Sequence, residues 1–175
     1  MSLHAITVLG HDRPGIIAET TRLLAGLGIN LEDSTMTLLR GHFAMMLVGA
    51  GDVTDAQVRE ALAPLVAGDT LSVTVREVPA EHGSGGQPAA GSSWVLTVHG
   101  GDRPGIVSAV VAEVARVGGN ITDLTTRLAG DLYLLVAEIE LPASADEAAL
   151  DAAIREVAAG LGVGATLRPA DPDEL

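Results

Sequence analysis

The sequence predicts an α+β fold built twice: two copies of one β-α-β-β-α-β unit, each an antiparallel sheet with both helices on one face. Three observations predict it. The 175-residue chain matches itself at one offset, so that Asp12-Arg13-Pro14-Gly15-Ile16 recurs as Asp102-Arg103-Pro104-Gly105-Ile106. At that same offset Gly28, Asn30, Asp33, Thr35 and Phe43 meet Gly118, Asn120, Asp123, Thr125 and Tyr133. Within each copy, apolar spacing alternates between the two-residue period of strands and the 3.6-residue period of helices. Between the copies, residues 79–92 are mostly Gly, Ser, Pro and Ala, a composition that behaves as a flexible coil.

The expected organisation is therefore a first domain at 1–78, a linker at 79–92 and a second domain at 93–169. A short acidic tail with two prolines in or beside it follows at 170–175. A coil of roughly 15 residues reaches ~20 Å, enough for the two units to lie side by side.

The elements follow in order. Ala5 to Gly10 and Trp94 to Gly100 read as first strands, rich in β-branched residues. The first helices place Ile16, Ile17, Thr20, Leu23, Leu24 and Leu27 on one stripe, and Ile106, Val107, Val110, Val111, Val114 and Val117 on its twin. Valine is a poor intrinsic helix former, so the twin depends on packing. Gly28 and Gly118 end these helices. Hairpins come next: Ile29–Leu39 with Phe43–Gly49 around Arg40-Gly41-His42, and Ile121–Leu128 with Leu132–Leu141 around Ala129-Gly130-Asp131. The second helices run over 55–66, capped by Thr54, and over 145–159, capped by Ser144. Strands at 70–78 and 163–167 close the units, giving the split βαβ, ferredoxin-like order. Along Phe43 to Val48 both strand faces are apolar, so the uncovered sheet face is expected to pack on the other repeat or on another chain.

Composition narrows the function. The net charge is −13, which repels a polyanion and argues against direct nucleic-acid contact. There is no cysteine, which removes disulfides, thiolate metal sites and cysteine nucleophiles and agrees with a reducing, cytoplasmic location. No apolar run reaches the roughly 18 residues of a membrane span, and the N-terminal ten residues read as a strand rather than a signal peptide. Charged residues make up only 19% of the chain, and mean hydropathy is +0.36. Little charge on a small domain points to hidden surface and a homo-oligomer, expected as a homodimer. With only Trp94, Tyr133 and Phe43 as aromatics, stacking sites for bases are nearly absent.

The repeated loop carries the chemistry. A residue before proline avoids the helical region, so Arg13 is expected to be the last non-helical residue, with Pro14 at the first helical position. Arginine accepts no hydrogen bond, so the N–H groups of Gly15, Ile16 and Ile17 are left as donors at the positive end of the helix dipole. A carboxylate suits such a terminus, and Gly15 lets it approach. Asp12 has two roles open to it, accepting an ammonium or capping its own helix. Asn30 follows one helix length later, which is expected to return it near the loop; its alternative is to serve the turn after the helix. The same reading applies to Asp102, Arg103, Pro104, Gly105, Ile106 and Asn120. A helix terminus, an acid and an amide together describe a site for a free amino acid.

On these residues, Gly10 to Ile16 with Gly28-Ile29-Asn30-Leu31 and Gly100 to Ile106 with Gly118-Gly119-Asn120-Ile121, the chain resembles the ACT domain family over roughly 3–78 and 93–168. The tandem copies without an enzyme domain resemble the glycine cleavage system transcriptional repressor group. That resemblance implies sheets joined edge to edge and a glycine-like amino acid bound where two domains meet. It places the contacts at Asp12 to Ile16 and Asp102 to Ile106, with Asn30 or Asn120 reaching in from the partner domain. It also implies a relay to a partner transcription regulator or enzyme. Some family members carry Asn at the positions of Asp12 and Asp102, and His at those of Gly10 and Gly100.

Catalysis has little support. His4, His11, His42, His82 and His99 show no metal-ligand spacing, and no nucleophile elbow, phosphate loop or paired acids occur. His99 with Asp102 suggests a dyad, but the first copy has Leu9 in place of the histidine. No catalytic residue, metal or cofactor is expected. Two alternatives stand beside the amino-acid sensor: a ligand-free interaction module, and a detached regulatory subunit of an amino-acid or folate enzyme.

Overall fold

The computed structural model describes residues 2–68, 70–79 and 91–170. Most of the expected linker, 80–90, and the tail at 171–175 lie outside the described residues. The chain divides into two compact units, 1–82 and 83–175. The first holds β1 (Ser2–His11), α1 (Ile16–Gly26), β2 (Asn30–Leu39), β3 (His42–Gly51), α2 (Asp55–Val66) and β4 (Leu71–Val78). The second holds β5 (Gly91–Gly101), α3 (Ile106–Arg116), β6 (Asn120–Ala129), β7 (Leu132–Pro142), α4 (Glu147–Gly160) and β8 (Val163–Pro169). Each unit is a four-stranded antiparallel sheet, in the orders β2-β3-β1-β4 and β6-β7-β5-β8. The expected two ferredoxin-like βαββαβ units are thus present.

One face of each sheet meets the helices. In the first unit Ile6 and Val8 of β1, with Phe43, Met45 and Leu47 of β3, pack on Ile16 and Leu24 of α1 and Val58, Leu62 and Leu65 of α2. In the second, Leu96, Val98, Leu135, Ala137 and Ile139 do the same against Val110, Val114, Leu150 and Ile154. Truncating one such buried leucine or isoleucine to Ala costs about 2–5 kcal/mol. The expected stripe on α1 is narrower than predicted: Ile16, Thr20 and Leu24 are buried, whereas Ile17 is 45% exposed. Thr20 is admitted to the core because its hydroxyl donates to the Ile16 carbonyl at 2.8 Å.

Each first helix ends in a Schellman motif. Gly28 N–H donates to the Ala25 carbonyl and Ile29 N–H to the Leu24 carbonyl, with Gly28 at φ 75°; Gly118 and Gly119 repeat the pattern on Ala115 and Val114. The last residue of the motif is inverted between copies. Ile29 fills space that side chains at Gly49 and Gly51 would invade, with a Cβ there 2.7 Å and 2.9 Å from Ile29 atoms. In the second copy the glycine is Gly119, and a Cβ there would lie 2.8 Å from both Leu141 and Val114. Ile139 and Leu141 occupy the strand positions of Gly49 and Gly51.

The hairpin turns are two residues long. Arg40 and Gly41 both have positive φ, as a type I′ turn requires, whereas Gly130 alone does so in the second. Helix α2 is capped by Thr54 in a full capping box with Gln57. The predicted cap of α4, Ser144, is not the cap. Asp146 is, its carboxylate accepting from Ala149 N–H at 3.0 Å. Ala145 N–H closes a turn on the Pro142 carbonyl, which carries the chain past Ser144 before the helix begins.

His4 of β1 is fully buried. Its Nδ1 lies 2.9 Å from an Asp55 carboxylate oxygen and its Nε2 3.0 Å from the Val53 carbonyl, so both ring nitrogens face acceptors. Burial raises the Asp55 pKa, but the hydrogen bonds from His4 and from Glu77 N–H, with the His4 and Arg59 charges, outweigh it and hold the carboxyl below its ordinary value. The second unit makes the corresponding joint differently: Trp94 Nε1 donates to Ser92 Oγ, which donates to Glu147.

Candidate functional site

Two backbone hydrogen bonds fix the loop that follows β1. His11 N–H donates to the Thr70 carbonyl at 3.0 Å, and Asp12 N–H to the Gly41 carbonyl at 3.1 Å, which seats Asp12 beside the β2–β3 turn. The helix then starts later than the sequence reading places it. Gly15 is the N-cap, in the left-handed region at φ 89°, and Gly105 matches it at φ 95°. Pro14 and Pro104 therefore lie in the preceding turn and not at the first helical position, because the left-handed glycine reverses the chain before helical geometry can begin. The donors move by one residue, to the N–H groups of Ile16, Ile17 and Ala18, and of Ile106, Val107 and Ser108. Glu19 N–H closes the first turn on the Gly15 carbonyl at 2.9 Å.

No side chain caps either helix. Of the two roles open to Asp12 and Asp102, capping is thus not the one they take. The loop of the first unit borders a depression of about 280 Å³ lined by Asp12, Arg13, Gly15, Ile17, Met36 and Phe43, among others. Met36 and Phe43 were not anticipated as lining residues. Their signal is the apolar character of β2 and β3 close to the turn; of the two, only Phe43 falls in the stretch Phe43 to Val48 whose apolar faces are expected to pack. The positions Gly10 and Gly100 leave no room for a side chain. A Cβ at 10 would collide with the Thr70 carbonyl oxygen, and one at 100 would lie 2.7 Å from Val163 Cγ1.

The two loops differ in charge. Arg13 donates to Glu19 at 3.0 Å, so the first loop's cation is already paired and a carboxylate stands in the first turn of α1. Helix α3 has no acid in its first turn, and Ala109 takes the place of Glu19. Arg103 has no ion-pair partner among the described residues; its guanidinium lies over the α4–β8 turn, 3.8 Å from where a Cβ at Gly162 would stand.

Asn30 and Asn120 are not beside the loops of their own units. α1 runs antiparallel to β1, so it carries the chain away from the loop. Asn30 pairs with Ala50, which pairs with Leu3 at the start of β1. Nine residues of strand separate Leu3 from Asp12, about 30 Å. Asn120 lines a cavity of about 180 Å³ with Ser92, Gly118 and Glu140 at the corresponding far end of the second unit. A cavity of about 300 Å³, bordered by Trp94, Thr122, Glu138 and Arg168, lies along the sheet in that half as well. His99 does not form a dyad with Asp102; its ring packs over Gly164, where a Cβ would meet it at 2.9 Å. Among the described residues no group of three or more His, Asp and Glu side chains is placed to hold a metal ion. No helix among the described residues is long and apolar enough to cross a membrane.

The sequence profile of the ACT domain matches residues 4–76 and again 93–167. The chain belongs to the ACT domain family. It is 28% identical over 158 residues to the glycine cleavage system transcriptional repressor of Escherichia coli, covering 86% of this chain and 80% of that protein. A UPF0237 protein of Methanopyrus kandleri is 40% identical over 78 residues, 43% of this chain and 84% of its own length, as expected for a single copy of the repeat. Among solved structures, an unknown protein from Galdieria sulphuraria is 26% identical, covers 97% of this chain and 99% of its own, and superposes with a TM-score of 0.80. The tandem ACT architecture therefore extends through both halves of a solved relative.

Proposed function

We propose that this chain is a non-catalytic regulatory protein that binds a small, glycine-like amino acid at its strand-to-helix loops and relays occupancy to a partner protein in the control of amino-acid metabolism. The observation that carries the reading is the uncapped helix N-terminus behind a left-handed glycine, present at both Gly15 and Gly105 beside an aspartate that does not fill it. The helix amides suit the ligand carboxylate, and Asp12 or Asp102 suits its ammonium. The family and the whole-length similarity to a glycine cleavage system transcriptional repressor supply the regulatory context. Because Asn30 and Asn120 lie at the far end of their own units, their part in a site requires a different domain.

The test is a thermal melt with the twenty amino acids. A ligand at 100 times its Kd adds ~2.7 kcal/mol, which for a unit of this size raises its melting temperature by about 10 °C or more. Glycine or a close relative is expected to give that rise, and the double variant Gly15→Val, Gly105→Val, which crowds the amides of both loops, to remove it. If no amino acid moves the melt, the ligand-free interaction module is the correct reading.

A further inference from the structure

We propose that the open sheet face of the first unit is an interface between two copies of this chain, packed face to face about a two-fold axis parallel to the strands. The open face carries the residues that alternate with the buried ones. Cross-strand partners share a face, so the register gives it row by row. One row is Asp33, Val48, Ala5 and Arg76; the next is Thr35, Met46, Thr7 and Thr74; the next is Thr37, Ala44, Leu9 and Ser72. Met46 is 47% exposed and Leu9 50%. Across these three rows the only charges are Asp33 and Arg76, at the two ends of the same row.

That placement selects the occupant and the axis. A two-fold axis along the strands reverses the strand order and keeps each row at its own height. It sets β2 over the partner's β4, hence Asp33 over the partner's Arg76 and Arg76 over the partner's Asp33, with Met46, Val48, Ala5 and Leu9 between them. An axis across the strands pairs neither charge with its opposite: through their own row it puts Asp33 over Asp33 and Arg76 over Arg76, and through the middle row it puts them over Thr37 and Ser72. Both charges await a partner: Arg76 has no ion pair among the described residues, and the only described hydrogen bond of Asp33 is from the adjacent Ser34 N–H. The open face of the second unit fits less well. Its equivalent row is Asp123, Glu138, Val95 and Arg168, so the same operation would press the Glu138 carboxylate against the apolar Val95 of a second copy, or against Ala5 of a first unit. Four strands about 4.8 Å apart and six or seven residues of each at about 3.3 Å give a face near 19 by 21 Å. The two partners together then bury somewhat less than ~1,000 Å², below what a stable interface buries and in the range of weak, transient association. The dimer is accordingly expected to dissociate on dilution.

Sedimentation velocity of the full chain across a range of concentrations tests this, with circular dichroism to confirm that each variant folds. The wild type is expected to pass from monomer to dimer in the micromolar range. Met46→Glu should abolish the dimer. Asp33→Arg and Arg76→Asp should each raise the dissociation constant about tenfold, one ΔΔG decade, and the double reversal should bring it back, since the pairs re-form with their signs exchanged. A chain monomeric at every concentration overturns the proposal. So does a dimer indifferent to Met46→Glu, or a double reversal no better than its parts. The proposal does not depend on an amino-acid ligand, and the amino-acid melts can succeed or fail separately from it.

Discussion

At the end of the first helix the two repeats share a backbone and disagree about volume. In the first, Ile29 is large and the facing strand positions are Gly49 and Gly51; in the second, Gly119 is empty and the strand carries Ile139 and Leu141. The Schellman hydrogen bonds are the same in both. The space is therefore conserved and its owner is not, as close packing requires. The lesson extends to reading site differences. Ile29 against Gly119 looks like divergence beside the Asn30 and Asn120 positions, yet it is settled by packing inside each unit. Glu19 against Ala109 looks like a surface change, yet it alters the charge at a helix N-terminus.

The largest expected effect comes from breaking the volume exchange on one side only. Gly119→Ile should destabilise the second unit by about 1–3 kcal/mol, since overpacked cores strain side chains and backbone. The triple variant that also carries Ile139→Gly and Leu141→Gly should recover part of that loss. Denaturant melts of the three proteins check it, and a neutral Gly119→Ile would mean the exchange has no packing content.

The joint between the first strand and the second helix sharpens the comparison through pH. Because the folded pKa of Asp55 lies below its unfolded value of about 3.9, its contribution is present above that unfolded value and is lost as pH falls through the folded one. Asp55→Asn should therefore destabilise the first unit at pH 6 and make progressively less difference below about pH 4. The Trp94–Ser92–Glu147 joint of the second unit should melt unchanged in that variant. A wild-type-to-variant gap that stays constant from pH 6 to pH 3 would refute the assignment.

The smallest effect expected is at the loops. An acid in the first helical turn disfavours an incoming carboxylate by about 0.3–1 kcal/mol. Glu19→Ala should thus tighten binding at the first loop about two- to fivefold, and Ala109→Glu should weaken the second by as much, read by calorimetric titration. Equal affinities in all three proteins would show that the loops are electrostatically alike.

Much of the fold was legible because duplication printed each element twice. Thr54 as cap, the turn at Gly41 and the helix-stopping Gly28 all follow from local chemistry, and local chemistry decided them. What escaped reading depended on conformation or direction. Nothing in Pro14-Gly15 distinguishes a proline inside the helix from a proline before it, since that rests on the sign of one φ angle. Ser144 and Asp146 are both good caps, and the turn closed by Ala145 on Pro142 chose between them. One helix length does not return Asn30 to the loop, because a helix antiparallel to β1 delivers the chain to the opposite end of the sheet, and spacing alone carries no direction.

The exchanged volumes also bear on how a duplicated chain avoids folding into itself wrongly. Two copies of the same element order offer β3 and β7 as rival partners for each first helix, the kind of misassembly to which repeats are prone. If β7 docked on α1, Ile139 and Leu141 would be driven into the space Ile29 already fills. If β3 docked on α3, Gly49 and Gly51 would face Gly119 across a void. Both exchanges are penalised, one by collision and the other by an unfilled cavity, so the same three positions that complete each core also mark which half of the chain a strand belongs to.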